Sequence, residues 1–192
     1  MEPFRSVRGG GARAWLAAAE ASLLRSLVGQ VMSLVEPDDG DDDQAERGNQ
    51  AERDDEVAVL EAMMQGPGAD KPPEDPVLAR LLPDGYRDDP EAAGEFRKYT
   101  EPALRSAKHH AAEELLDTLP EAGGRIQLTQ DQALSWLKAL NDVRLALGVR
   151  LGVTEEFEEQ WGQLKPDDPQ WAAFEVYAWL GAVQESLVQA LS

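Results

Sequence analysis

Apolar residues recur at every third or fourth position in three long stretches of the chain, and this spacing is typical of amphipathic helices. The first helix is predicted over 17–35 and should end before Pro37. The second should follow Thr129, because Thr129 and Gln132 form a capping-box pattern ahead of an apolar run. Its predicted buried positions are Leu134, Trp136, Leu137, Leu140, Val143 and Leu147. The last helix is predicted from the apolar repeat Val176, Leu180, Val183, Leu187 and Leu191.

Aspartate followed by proline marks three helix starts, which are Asp75-Pro76, Asp89-Pro90 and Asp168-Pro169. The carboxylate caps the first turn, and the fixed φ of proline suits the first helical position. Pro83 should keep the first of these helices short. The second is predicted over 90–99, and Thr100 should cap a separate helix over 101–119. Shorter helices are predicted at two other places, 57–64 and 154–164.

Short alternating segments predict a small sheet. Segments 4–7 and 12–16 flank three consecutive glycines and should form a hairpin, and segment 125–128 also alternates. Because an isolated hairpin is marginal in water, we predict that the later strand joins it in one antiparallel sheet packed on helices. The predicted fold class is therefore mainly α, a multi-helix bundle with a small antiparallel β-sheet formed by the N-terminal hairpin and a strand near 125–128.

Residues 37–56 interrupt this pattern with ten acidic and two basic residues and a repeated QAER unit. Alanine is the only apolar residue type among them, so no core can form there. The spacing of the acids also lacks the alternating ligands of an EF-hand calcium loop. We predict one helical domain over 1–192, with a disordered acidic insert at 37–56.

Composition narrows the classes of function. The net charge of −19 repels phosphate backbones and anionic membranes, so direct nucleic-acid binding would need a local basic patch. The chain has no cysteine, which excludes disulfides, thiolate zinc sites, a cysteine nucleophile and a thiol switch within this sequence. No apolar run reaches the roughly 18 residues of a membrane helix, and no signal-peptide pattern is present. We expect a soluble cytoplasmic protein.

Catalytic and metal-binding patterns are weak. His109 and His110 are the only histidines, and adjacent residues on a helix point about 100° apart, so they cannot chelate one metal together. Glu113 and Glu114 lie within reach of them, which leaves a metal-dependent hydrolase as an alternative. There is no phosphate-binding glycine loop and no nucleophile signature. We predict no catalytic, cofactor-binding or metal-binding residues, and no enzyme activity.

Positive charge is concentrated in one segment of this acidic chain. The residues are Arg97, Lys98, Arg105 and Lys108, and they could bind an acidic partner surface. Neighbouring glutamates leave a solvated, salt-bridged helix face as the alternative. Trp161 follows a run of acidic residues and is the tryptophan that we expect at the surface. Together these five side chains are the candidate partner-binding residues, and a helix-turn-helix over 90–119 is the DNA-binding alternative.

Two arginines lie among apolar residues, and we expect each of them to pair with a carboxylate. Arg144 and Arg150 lie within LNDVRLALGVRLGV, and such arginines usually pair with a nearby carboxylate. We expect that partner to be Asp142 or an acid of the 84–91 segment.

Two stretches carry a family resemblance. RLLPDGYRDDPEAAGEFRKYTEPALRSAK, together with LSWLKALNDVRLALGVRLGV, resembles an actinobacterial family that was long catalogued as being of unknown function and is now labelled AosR-like. The FRSVRGGGARAWL opening and the final amphipathic helix extend the resemblance over most of the chain outside the acidic insert.

The resemblance implies a specific function, which the amino-acid composition alone does not indicate. It implies a cytoplasmic, mainly helical regulator of transcription in oxidative stress, which acts with a sigma factor or RNA polymerase. A cysteine-pair switch is associated with that role, and this sequence has no cysteine to form one. We therefore expect a protein-binding regulator without a cofactor and without a thiol switch.

Overall fold

The computed structural model describes residues 1–36, 71–86, 88–165 and 167–192. The predicted acidic insert at 37–56 and the predicted helix at 57–64 lie outside the described residues, so both stay predictions. Within the described ranges the chain forms three strands and six helices. The predicted fold class, a mainly helical bundle with a small antiparallel sheet, is confirmed.

The three strands form one antiparallel sheet in the order β1-β2-β3. Their bounds are Glu2–Ser6 for β1, Ala12–Leu16 for β2 and Gly124–Leu128 for β3. Gly11, at the end of the β1–β2 turn, has a φ of +89°, and a Cβ there would lie 2.2 Å from the Leu128 carbonyl oxygen. Only glycine fits this position, because a side chain would collide with the neighbouring strand. The prediction that a later strand joins the hairpin is confirmed.

The six helices account for most of the described residues. Their bounds are Ala18–Leu34 for α1, Pro76–Leu81 for α2, Pro90–Thr118 for α3, Gln130–Leu151 for α4, Phe157–Gln163 for α5 and Trp171–Leu191 for α6. None of these helices is long and apolar enough to cross a membrane.

Helix capping follows the sequence at three starts and departs from it at one. The Asp75 carboxylate accepts a hydrogen bond from the Val77 amide at 2.7 Å, and Asp89 caps α3 in the same manner. Thr129 and its capping box begin α4 as predicted. Asp168 instead accepts a hydrogen bond from the Gln170 amide, and this turn delays α6 until residue 171. The predicted start at Asp168-Pro169 is therefore slightly early.

The prediction of two helices over 90–99 and 101–119 is wrong, because α3 runs without a break through Pro102. Thr100 does not cap a new helix, since its hydroxyl donates to the Phe96 carbonyl oxygen at 2.9 Å. A proline inside a helix removes one backbone hydrogen bond. Buried ion pairs that join residues on both sides of Pro102 offset this loss, as described below. The helix-turn-helix considered over 90–119 is likewise absent.

The hydrophobic core lies between the sheet and the helices. The strands turn alternate residues inward, namely Phe4, Ala12, Ala14, Leu16, Ile126 and Leu128. Helix α4 packs against α1, α2, α3 and α6. The predicted burial of Leu134 is wrong, because its side chain is 45% exposed. The buried side of α4 includes Ala133, Ala139 and Ala146, whose small side chains allow neighbouring helices to pack closely. Leu134 lies outside this buried side.

Trp136 is fully buried at the centre of this core. Its ring meets Phe4 edge-on, with ring centroids 5.7 Å apart. Its indole N–H donates to the Thr118 hydroxyl oxygen at 2.7 Å. Thr118 therefore supplies the one polar contact that this buried tryptophan needs.

We expect Thr118→Val to lower the free energy of unfolding by about 1–3 kcal/mol, because the Trp136 N–H loses its acceptor in the core. Thr100→Val is the matched control. Both threonines lie on α3 and donate to the carbonyl four residues earlier, but Thr100 accepts no hydrogen bond from a side chain of the described residues. Urea unfolding followed by circular dichroism measures both variants. Equal losses in the two variants would show that the Trp136 hydrogen bond contributes nothing.

Candidate partner-binding surface

The cationic segment predicted from the sequence is largely turned inward. Arg97 is only 5% exposed, and its guanidinium donates to Glu101 at 2.7 Å and to Asp84. It also donates to the Leu82 carbonyl oxygen at 3.3 Å. Burial by itself would lower the pKa of Arg97, but the hydrogen bonds to Glu101 and Asp84 outweigh it and raise the pKa. Arg97 therefore connects the loop after α2 to α3.

Glu101 lies between two guanidinium groups. One of its oxygens accepts from Arg97, and the other lies 2.8 Å from an Arg105 nitrogen. Arg105 also donates to the Leu34 carbonyl oxygen at the end of α1, at 3.5 Å. These pairs link residues four apart on both sides of Pro102. The network therefore holds α3 together where the proline weakens it.

Lys108 is also paired, and its partner corrects an expectation. Its ammonium lies 2.6 Å from the Asp142 carboxylate on α4. Burial raises the pKa of Asp142, and the hydrogen bond from Lys108 opposes that rise only in part. The expected partner of Arg144 and Arg150 was Asp142 or an acid of the 84–91 segment. Those two arginines instead donate to the side-chain oxygens of Gln184 and Gln30.

The remaining two candidates, Lys98 and Trp161, lie outside this network of ion pairs. Lys98 is half-buried and pairs with no carboxylate in the described part of the chain. Trp161 is only partly exposed, because its ring packs against Phe157 and Trp171 with centroids 5.9 and 5.8 Å apart. Its indole N–H is buried and has no hydrogen-bond partner among the described residues. Three of the five candidates thus use their charge internally, and the partner-binding role of all five stays a prediction.

The histidine pair offers little for metal chemistry. His109 Nδ1 lies 3.6 Å from a Glu113 carboxylate oxygen, which is an ordinary contact between residues four apart on a helix. Among the described residues no group of three or more histidine, cysteine, aspartate or glutamate side chains could hold a metal ion. The contact between His109 and Glu113 provides only two of the ligands that such a site needs.

The outer face of the sheet carries a cationic surface that the sequence interpretation missed. The strand register places Arg13 opposite Arg5 on one side and opposite Gln127 on the other. It places Trp15 between Glu2 and Arg125. All of these side chains are exposed, and Trp15 is 46% exposed. We call the group Arg5, Arg13, Trp15, Arg125 and Gln127 the arginine face.

The requirements of folding do not explain the arginine face. Arg5, Arg13 and Arg125 pair with no carboxylate among the residues that the structure describes. Arg5 and Arg13 are direct cross-strand neighbours, and like charges in that position reduce the stability of a sheet. Arg8, exposed in the adjoining turn, adds a further positive charge. In a chain with 37 acidic and 18 basic residues, these arginines form a local excess of positive charge.

One signal for this surface was present in the sequence. The segment ARAWL of β2 alternates, so Arg13 and Trp15 must share the face opposite to Ala12, Ala14 and Leu16. The contribution of Arg125 depends on strand pairing, because β2 and β3 are far apart in sequence. The arginine face could therefore be found only after the register of all three strands was known.

The full chain matches a protein-family model described as "Domain of unknown function (DUF2017)" over residues 1–191. The chain belongs to this family. It is also similar to the oxidative stress regulator AosR of Mycobacterium bovis and to that of Mycobacterium tuberculosis. Each is 38% identical over 192 residues, with 93% of this chain and 81% of the relative covered. The predicted resemblance to the actinobacterial AosR-like family is confirmed.

No solved structure matches the chain. The arginine face of this member of the DUF2017 family therefore has to be interpreted from its own geometry. Both relatives carry the name of a regulator, which bears on the function proposed below.

The buried network of α3 generates a stability prediction. We expect Glu101→Gln to lower the free energy of unfolding by about 3–5 kcal/mol, because buried Arg97 and partly buried Arg105 lose their shared carboxylate. Glu113→Gln is the matched control, since Glu113 lies on the same helix, has a side chain that is 43% exposed, and forms its ion pair among the described residues with His109. This control should change stability by about 0.5 kcal/mol or less. Urea unfolding at neutral pH compares them, and similar losses would contradict a structural role for Glu101.

Proposed function

We propose that this chain is a non-enzymatic regulator of the oxidative stress response that acts in the cytoplasm by binding a protein partner. The partner is a sigma factor or RNA polymerase, and the arginine face is the contact surface. One observation carries the proposal, namely that three arginines lie beside exposed Trp15 and form no ion pair with Glu2 or with any other carboxylate among the described residues. The names of the two AosR relatives support the regulatory part.

The charge of the chain favours a protein partner over a nucleic acid. A nucleic acid carries a negative charge on every phosphate and is repelled by a chain with a net charge of −19. Three arginines offset only a small part of that repulsion. An acidic segment of a protein carries fewer charges and meets less repulsion. Tryptophan and arginine are also strongly enriched among the residues that dominate protein–protein binding energies.

The arginine face fits a partner surface of defined chemistry. Each guanidinium can hold a carboxylate through two parallel hydrogen bonds. The Trp15 indole would fill an apolar pocket and would lose the water that now surrounds it. The partner should therefore present acidic side chains around an apolar depression.

The composition limits how such a regulator could respond to oxidants. No thiol switch can operate within this sequence, because it contains no cysteine. In our proposal a redox signal acts without a thiol of this chain, and the chain regulates by non-covalent binding.

Pull-down with purified sigma factor and RNA polymerase core from an actinobacterium tests the proposal. We expect Arg13→Glu and Trp15→Ala each to weaken binding by about tenfold or more, as hot-spot residues do. Lys98→Glu and Lys138→Glu are controls that change the charge equally elsewhere on the surface, and they should bind as the wild type does.

Two results would overturn this assignment. Wild-type protein that binds neither purified component would contradict the identity of the partner. Binding that is lost in Lys98→Glu but kept in Arg13→Glu would move the contact to the segment predicted from the sequence. A gel shift of single-stranded RNA or duplex DNA at low salt, abolished by Arg13→Glu, would instead assign the arginine face to nucleic acid.

A further inference from the structure

A small groove lies between α2, α4 and α6, away from the strands that form the arginine face. Its volume is about 310 Å³, at the lower end of the range for small-molecule sites. The polar side chains that line it are Arg80, Asn141, Arg144 and Tyr177. We call these four residues and the space between them the Arg144 groove.

Arg144 is held in place by neutral groups. Its guanidinium donates to the Gln184 side-chain oxygen at 2.9 Å, and its central carbon lies 5.2 Å from the centre of the Tyr177 ring. A Cβ added at Gly181 would lie 3.7–3.8 Å from the guanidinium atoms, so this part of α6 packs closely against them. Tyr177, Gly181 and Gln184 thus fix the orientation of the cation without neutralising its charge.

Arg80 brings a second cation to the same groove. It is exposed in the last turn of α2 and pairs with no carboxylate among the described residues. No aspartate or glutamate of the described ranges lines the groove. Two guanidinium groups that share a small concave space repel each other unless an anion lies between them. The groove is therefore locally cationic, although the chain as a whole is strongly acidic.

The two stretches that carry the family resemblance meet at this groove. Arg80 is the first residue of the RLLPDGY stretch, and Asn141 and Arg144 belong to the LNDVRLALGVRLGV stretch. Helix capping explains Asp89, and helix termination explains Pro83. Neither explains why Arg80, Asn141 and Arg144 converge on one space.

We propose that the Arg144 groove binds a small oxyanion, either a phosphate group or the carboxylate of a small organic acid. Arg144 supplies an oriented guanidinium, Arg80 adds a mobile second charge, and the Asn141 amide and Tyr177 hydroxyl supply neutral hydrogen bonds. Oxyanions are recognised best by such planar, charged donors. The limited volume restricts the ligand to a small molecule. This site is independent of the function proposed for the arginine face.

Isothermal titration calorimetry of the full chain tests this site at physiological ionic strength. Inorganic phosphate and succinate serve as separate probes, and sodium chloride keeps the ionic strength constant. We expect at least one probe to bind with a Kd of about 1 mM or tighter. Binding of phosphate alone would assign the site to phosphorylated ligands, and binding of succinate alone would assign it to organic acids.

Three variants locate the binding. Arg144→Gln and Arg80→Gln should each weaken binding of the active probe by about tenfold or more. Arg80 is exposed, so Arg80→Gln tests the groove even if Arg144→Gln disturbs folding. Arg150→Gln is the matched control, because Arg150 lies on the same helix, donates to Gln30 and does not line the groove.

The proposal fails on either of two outcomes. The first is that neither probe shows a heat of binding to the wild-type protein at concentrations up to about 10 mM. The second is that Arg80→Gln binds the active probe as tightly as Arg150→Gln does. Arg13→Gln, on the arginine face, should leave oxyanion binding unchanged, so failure here does not decide the partner proposed above.

Discussion

The helical part of the structure depends on the ion pairs made by the buried carboxylate of Glu101. This carboxylate accepts from Arg97 on one side and from Arg105 on the other, and so spans Pro102. Arg97 reaches the loop after α2, and Arg105 reaches the end of α1. Because an unpaired charge in this position would cost several kcal/mol, these ion pairs stabilise the packing of the chain around Pro102. One carboxylate thereby sets the positions of three helices.

This network also decides which cations remain available to other molecules. A count of charges along the sequence points to the segment around Arg97, where basic residues are most concentrated. In the folded chain, Glu101, Asp84 and Asp142 neutralise most of that segment from within. The arginines of the outer sheet face and of the Arg144 groove are among those that pair with no carboxylate in the described residues. Positive charge is informative about function only after its internal partners are known.

Local chemistry accounts for what could be predicted from the sequence. Caps at Asp75, Asp89 and Thr129 involve residues two or three apart, so their spacing is visible in one chain. The continuity of α3 through Pro102 and the pairing of Lys108 with Asp142 depend on contacts between distant segments. The arginine face depends on strand register in the same manner. Local sequence patterns therefore failed where tertiary contacts decide the structure. They predicted the wrong partner for Asp142 and a helix boundary that α3 does not have.

Helix α6 connects the two cationic regions physically. Gln184 and Tyr177 hold Arg144 in its groove, and the Ser186 hydroxyl accepts a hydrogen bond at 3.2 Å from the Phe4 amide in β1. Strand β1 also carries Arg5 of the arginine face. The same helix thus positions Arg144 and supports the strand that carries Arg5, although the two proposed binding sites share no residue.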